Sequence, residues 1–310
     1  MPLRLSRRSA LLGGLALSAC ASPEREGHAE YTPPPNDPRF AAIEQRIGGR
    51  VGVAAWNRAN DAWLTHRAHE RFAMCSTFKW LLAAQMLQLA ERQPDLLSDR
   101  VLYREQDLLS YAPVTRARFG AGPMGMGEMS VEELCAAAVT VSDNTAANLL
   151  LQGAAMGPEG FTRFLRSNGD GISRLDRIEP ELNENLPGDE RDTTTPEIMA
   201  RNLRAFLLGH VELGSPPLNE ASREKLIGWM VESPTGRERL RAGLPTTWRA
   251  GDKTGTGGEV NNATNDVAIA WPPNGAPIVI AAYLSHSTAD AAARTAAHAE
   301  IGRIVGEEWG

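Results

Sequence analysis

Four short stretches of this 310-residue chain carry side chains able to break and remake a covalent bond. The first is Ala73-Met74-Cys75-Ser76-Thr77-Phe78-Lys79-Trp80, which runs into the apolar segment 81–87. A serine hydroxyl is a poor nucleophile at neutral pH and needs a base beside it. Lys79 lies three residues on, so it shares one face of a first helical turn with Ser76. A lysine can act as that base once desolvation or a neighbouring cation lowers its pKa. Ser76 stands at the N-cap position of the expected helix. There the free N–H groups and the helix dipole favour a developing oxyanion.

The second stretch is Ser142-Asp143-Asn144, at the junction of two expected helices. Ser142 offers a hydroxyl that can relay a proton to a leaving nitrogen. Asn144 offers an amide donor to a carbonyl and an acceptor to Lys79. The third, Lys253-Thr254-Gly255-Thr256, ends a strand pattern. Lys253 brings charge and Thr254 a hydroxyl for a carboxylate, and Gly255 lets a ligand approach the backbone. The N–H groups of Ser76 and Thr256 are candidate oxyanion donors, each worth about a hundredfold to a thousandfold in rate. The fourth runs from Leu175 to Glu184, where Pro180 and the nearby Pro187 forbid an unbroken helix. It should form a compact Ω-type loop with Arg177 and Asp192 paired across its neck. Glu179 and Asn183 could then grip a water molecule together, which beside an acylated serine is a hydrolytic device. Taken singly, each stretch is ordinary capping, a tight turn or an exposed loop carboxylate. Only the set points to chemistry.

The elements that must position these residues follow from periodicity. Phe40, Ile43 and Ile47 are helically spaced, and Gly48-Gly49 ends that helix. Residues 51–56 and 62–66 read as two strands joined by a turn at 57–61. From 73 to about 243 the chain is mainly helical. Ser130-Val131-Glu132-Glu133 forms a capping box, and Pro196 opens another helix. Strand patterns return at 247–253, 264–271 and 277–284, before a final helix over about 288–308. The expected fold is therefore mixed α/β (α+β). An antiparallel sheet built from both chain ends is flanked by helices, and a central lobe is all helical. The expected organisation is a signal peptide at 1–20, a Pro-rich tether at 21–38 and a catalytic domain at 39–310. Within that domain the sheet lobe takes 39–72 and 244–310, and the helical lobe takes 73–243.

Composition narrows the partners. The net charge is −6, and the only charges in the first 20 residues are Arg4, Arg7 and Arg8, so the remainder is more acidic still. That balance argues against nucleic acid or an anionic membrane, and an anionic substrate needs a local basic cluster. Arg7-Arg8 and the short apolar run 10–19 read as an export signal of twin-arginine type. Leu17-Ser18-Ala19-Cys20 fits a lipoprotein box with a lipid anchor on Cys20, whereas Ala19-Cys20-Ala21 also fits simple secretion, and an uncleaved anchor stays open. Either way the mature protein is expected in the periplasm or cell envelope, as a monomer. Cys75 and Cys135 then remain, too few for a disulfide framework. The six histidines form no metal-binding motif, His66 and His69 read as surface residues at a strand end, and no metal or cofactor is expected.

In the order Ser76-x-x-Lys79, Ser142-Asp143-Asn144, Lys253-Thr254-Gly255, with Asp176-Arg177-x-Glu179-Pro180-Glu181-Leu182-Asn183 between, the chain resembles the class A β-lactamases from about residue 38 onward. The resemblance implies a serine hydrolase that opens penicillins and cephalosporins. Ser76 would be acylated, Lys79 and the water held by Glu179 would be the two contending bases for acylation, and Glu179 would activate water for deacylation. Ser142 would pass the proton to the ring nitrogen, and Asn144 and Asn183 would orient substrate and water. Tyr111 matches the aromatic residue at the cleft edge. Arg239 matches the arginine that in some members joins Lys253, with Thr254, in holding the substrate carboxylate, although a solvated helix face is its plain alternative. The resemblance also implies that Cys75 lacks its bridge partner, because Gly257 occupies that position, and that Cys135 faces Ala83 in place of a cysteine. The Gly/Met-rich residues 119–129 are longer than expected and read as a floppy loop or a mobile rim of the cleft; residues 259–263 are also slightly long. A D-alanyl-D-alanine peptidase and a non-hydrolysing β-lactam sensor share the serine and lysine but not the water device.

Overall fold

The computed structural model describes residues 35–211, 214–258 and 260–310. The expected export signal, Cys20 and most of the expected tether lie outside the described residues. The packed chain begins slightly before position 39: the Asp37 N–H donates to Thr65 O at 2.7 Å, and the Asp37 side chain caps α1 (Pro38–Ile47).

Five antiparallel strands form the main sheet. They are β1 (Arg50–Asn57), β2 (Ala62–His66), β7 (Arg249–Thr256), β8 (Thr264–Trp271) and β9 (Ile278–Ser285), in the order β2-β1-β9-β8-β7. The first strand from the N-terminal end thus lies against the last strand of the chain, with Arg50 opposite Ser285 and Asn57 opposite Ile278. Alternation along the strands divides the core in two. Val51, Val53 and Ala55 of β1, with Ile278, Ile280 and Leu284 of β9, face α1 and α10 (Ala291–Trp309). Ala54, Trp56, Val279 and Tyr283 face the other way, into a larger core shared with the helical lobe.

The lobe holds α2 (Phe78–Ala90), α3 (Pro113–Arg118), α4 (Val131–Thr140), α5 (Asn144–Gln152), α6 (Gly157–Ser167), α7 (Pro196–Leu208), α8 (Glu220–Glu232) and the short α9 (Leu240–Gly243). Residues Phe78 to Leu87 of α2 are buried on every side, as expected of a central helix. The Ser130/Glu133 capping box opens α4, and Thr195 with Pro196 opens α7, as the sequence indicates.

Two short ladders within the lobe have no periodic signal. β3 (Phe72–Ala73) pairs with β6 (Thr193–Thr194), and β4 (Arg100–Tyr103) pairs with β5 (Gly127–Ser130). The second ladder corrects the reading of residues 119–129 as a floppy loop or cleft rim, since their C-terminal end is paired strand. Gly127 is required there, because a Cβ at that position would lie 2.1 Å from the buried Tyr103 ring. His66 is also buried rather than superficial, with Nε2 3.4 Å from Glu44. His69 is half exposed and pairs with Glu197 at 2.6 Å.

Candidate active site

Ser76 is not an N-cap. Cys75–Thr77 form a 3₁₀ turn, α2 starts at Phe78, and no side chain caps it. The hydroxyl is turned away from the helix and donates to Glu179 Oε1 at 3.2 Å. The turn is held rigidly around it. Thr77 Oγ1 donates to Met74 O at 2.7 Å, and Asn265 Nδ2 donates to Ala73 O and Met74 O at 2.9 and 3.1 Å. These bonds support the left-handed φ of 45° at Cys75, a region that bulky residues rarely occupy.

Lys79 is fully buried on the first turn of α2. Its Nζ meets Asn144 Oδ1 at 2.5 Å, Glu179 Oε1 at 2.8 Å and Ser142 O at 2.9 Å. Burial pushes its pKa below the usual lysine value, and the Glu179 carboxylate opposes that shift. An ammonium has three N–H donors, and each finds an acceptor here.

Ser142 ends the connection between α4 and α5 with φ of 60°, a strained conformation for a residue with a side chain. Asp143 fixes that corner: its carboxylate caps Ala146 N at 2.9 Å and accepts from the Val114 and Thr115 N–H groups, each at 2.9 Å. The Ser142 hydroxyl consequently lies between two lysines, 3.0 Å from Lys253 Nζ and 3.4 Å from Lys79 Nζ.

The proline-broken loop closes at its neck as expected. Asp192, fully buried, accepts from Arg177 Nε at 2.6 Å and from the Asp176 and Arg177 N–H groups at 2.7 and 3.0 Å. Glu179 is clamped by its backbone: Asn148 donates to its carbonyl at 2.8 Å and accepts from its N–H at 2.9 Å. Asn183 Nδ2 donates to Glu179 Oε2 at 2.6 Å, and Asn183 Oδ1 is shut off from solvent with no partner among the described residues.

The opposite wall is the free edge of β7. Lys253 is fully buried beneath it and donates to Thr254 O at 2.7 Å. Burial, and Lys79 nearby, hold its pKa well below the usual lysine value. Arg239 precedes α9 and points into the cleft, so it is no solvated helix face. Its guanidinium donates to Asn265 O at 2.6 Å and to Gly255 O and Thr256 Oγ1, each at 2.9 Å. Burial works against its charge too. Neither cation has a carboxylate within ion-pair distance among the described residues.

Between the walls lies a cleft of about 380 Å³ lined by Ser76, Tyr111, Ser142, Asn144, Asn183, Thr235, Arg239, Thr254 and Thr256. Lys79, Glu179 and Lys253 sit buried beneath it, so every site residue chosen from the sequence converges here. Tyr111 is half exposed at the edge, as anticipated. A larger cavity of about 450 Å³ opens elsewhere, beside Arg71, Arg166 and Arg174, whose guanidiniums are already bonded, and its lining pairs no serine with a lysine.

Sequence reasoning missed three residues. Thr235 lines the cleft and receives the Thr254 hydroxyl at 2.9 Å; its signal was Ser233-Pro234-Thr235-Gly236, a hydroxyl-rich break after a helix. Asn148 and Asn265 act on backbone groups distant in sequence, so no local spacing marks them. Both cysteines are free and buried, and burial pushes the Cys75 thiol up to about 12. A Cβ on Gly257 would lie 3.3 Å from Cys75 Sγ, so the two positions do face each other.

A family model described as the Beta-lactamase enzyme family matches residues 37–309. The chain is 49% identical over 266 residues to Beta-lactamase L2 of Stenotrophomonas maltophilia, covering 86% of this chain and 83% of that protein. It is 43% identical over 267 residues to Beta-lactamase CTX-M-25 of Escherichia coli, covering 86% and 87%. Among solved structures, an ancestral class A β-lactamase matches with TM-score 0.81 and 51% identity, over 88% of this chain and 99% of that one. A crystal structure of L2 complexed with relebactam matches with TM-score 0.80 and 47% identity, over 87% and 94%.

Proposed function

The chain belongs to the class A β-lactamases, serine hydrolases that open β-lactams, and from that premise we propose that Ser76 is the nucleophile and Glu179 the base that completes each turnover. The observation that carries this is one carboxylate in contact with three partners: Ser76 Oγ, Lys79 Nζ and Asn183 Nδ2 lie 3.2, 2.8 and 2.6 Å from Glu179 oxygens.

In acylation, Ser76 Oγ attacks the lactam carbonyl carbon while its proton passes to Glu179, the acceptor it already meets. Lys79 stays protonated, its three N–H groups satisfied, and its charge steadies the developing anions. The N–H groups of Ser76 and Thr256 receive the carbonyl oxygen. As the C–N bond breaks, Ser142 passes its proton to the ring nitrogen and is reprotonated by Lys79, which at once recovers the proton that Glu179 took, so Glu179 is a carboxylate again when water arrives. In deacylation, Glu179 and Asn183 hold a water whose proton goes to Glu179 as its oxygen attacks the ester, and Ser76 leaves with a proton restored. The orphan acceptor Asn183 Oδ1 suits a water O–H, which favours turnover over a persistent acyl-enzyme. Lys253, Thr254, Thr235 and Arg239 bind the substrate carboxylate, and Asn144 its amide side chain. Penicillins and cephalosporins both carry that carboxylate and are the substrates we assign. The test is many-turnover hydrolysis of a penicillin and a chromogenic cephalosporin by the purified protein; a single stoichiometric burst in both would sink the assignment of Glu179.

We further propose that the protein is exported to the periplasm or cell envelope as a monomer, lipidated at Cys20. Support comes from Arg7-Arg8, the apolar run after them and the Leu-Ser-Ala-Cys box. A Cys20→Ala protein that still partitions with membranes would remove the lipid assignment.

A further inference from the structure

Two buried carboxylates from neighbouring strands grip the residues that follow Arg239. Asp266 Oδ2 accepts from the Leu240 N–H at 3.0 Å, and Asp252 Oδ1 accepts from Arg241 Nη1 at 3.0 Å. Both side chains are completely shielded from solvent. The second oxygen of each, Asp252 Oδ2 and Asp266 Oδ1, is buried too and has no partner among the described residues. In the β7–β8 register Asp252 lies opposite Ala268 and Thr254 opposite Asp266, which makes the two carboxyls diagonal neighbours on one face. Gly236 seals them in, since a Cβ there would sit 2.0 Å from Asp252 Oδ2.

Two like charges side by side on adjacent strands in a dry interior do not both persist, and an orphan buried oxygen needs a donor. One proton held between the two carboxyls satisfies both requirements. We infer that Asp252 and Asp266 share a single proton and form a positioning dyad that fixes the Arg239–Arg241 segment, and with it the guanidinium presented to the substrate carboxylate. The inference rests on the assignment of Arg239 to that carboxylate.

The charges facing the dyad are Arg239 and Arg241 from the loop and α9, and Lys253 from β7. From α10, His298 bonds Thr264 O at 2.9 Å, and burial lowers its pKa to about 3, so it stays neutral. Burial, reinforced by Asp252, raises the Asp266 carboxyl well above the usual range, in keeping with a retained proton. At alkaline pH the proton leaves, the carboxylates repel and the grip loosens.

The test compares wild type, Asp266→Ala, Asp266→Asn and Arg239→Ala. Losing a charge-assisted grip should raise the KM of Asp266→Ala for a penicillin about tenfold, with kcat within about threefold. Asparagine can still donate to Asp252, so Asp266→Asn should return KM to within about threefold of wild type. Wild type should also show a steeper alkaline rise in KM than Asp266→Asn, in which only the part due to Lys253 remains. An infrared difference spectrum of wild type minus Asp266→Asn should carry a neutral-carboxyl band at pH 7. Absence of that band, or Asp266→Asn as impaired as Asp266→Ala, overturns the dyad. A raised KM in Arg239→Ala beside an unchanged KM in Asp266→Ala also overturns it, leaving the reading of Arg239 intact. An unchanged KM in Arg239→Ala defeats that reading instead, and the infrared band then decides the shared proton alone. Should Asp266→Ala not fold, Asp266→Asn and the band suffice.

Discussion

On the helical wall of the cleft Lys79 faces a carboxylate at 2.8 Å, whereas on the sheet wall Lys253 and Arg239 meet only hydroxyls and carbonyls. The first wall is electrically complete before substrate arrives, and its groups exchange protons among themselves. The second wall holds two desolvated cations without a counter-ion among the described residues, which is an incomplete ion pair awaiting an anion. On the reading proposed above, the helical wall moves the protons, while the sheet wall recognises charge and lends the Thr256 N–H to the oxyanion. An acidic protein with net charge −6 draws an anionic substrate through this local arrangement, against its own overall field.

The comparison can be broken by mutation. Ser76→Ala should remove hydrolysis and covalent labelling together, with a rate loss on the order of 10⁴- to 10⁶-fold, read by turnover and intact-protein mass. Glu179→Ala should label with penicillin more slowly, Lys79 with its lowered pKa taking over the Ser76 proton, and should deacylate roughly 10²- to 10⁴-fold more slowly, so that the acyl-enzyme accumulates. Near wild-type turnover in that variant would falsify the division of labour. Asp192→Asn leaves Arg177 without its buried partner, and should cost about 3–5 kcal/mol in denaturant unfolding while lowering kcat through a loosened Glu179. On the other wall, Lys253→Ala should raise KM about tenfold to a hundredfold, as expected for losing a hydrogen bond to a charged group, with much of kcat retained. If kcat collapsed and KM held, the sheet wall would belong to the chemistry as well.

The smallest effect is in pH. The Lys253 pKa lies well below the usual lysine value because of burial, so its positive charge is lost earlier than normal as pH rises. Substrate affinity should fall along an alkaline limb that starts below the ordinary lysine range. Lys253→Arg should move that limb to higher pH, which a kcat/KM profile would show.

The two walls also differed in how openly the sequence displayed them. Ser76, Lys79, Ser142, Glu179 and Lys253 were legible because each sits in a short motif whose spacing encodes a shared face or a tight turn. The sheet was legible because β1, β8 and β9 alternate strictly between two cores. What stayed hidden depends on partners far along the chain. Asn148 clamps Glu179 and Asn265 pins the nucleophile turn, and both look like ordinary strand or helix polar residues in isolation. The N-cap expectation for Ser76 failed because a 3₁₀ turn precedes α2, and the hydroxyl there donates to Glu179 instead of accepting from a helix N–H. Residues 119–129 misled because glycine usually marks mobility, whereas Gly127 makes room for the Tyr103 ring.

The pairing of β1 with β9 has a consequence for biosynthesis. The opening strand leaves the ribosome with no neighbour on its β9 side until almost the last residues have been made, and Lys253 and Arg239 also come late. A chain halted midway would carry Ser76 and Glu179 yet have no recognition wall and a raw strand edge. Competence is thus conferred in one late step, when the two extremities zip together, and a nascent chain kept extended beforehand loses nothing by waiting.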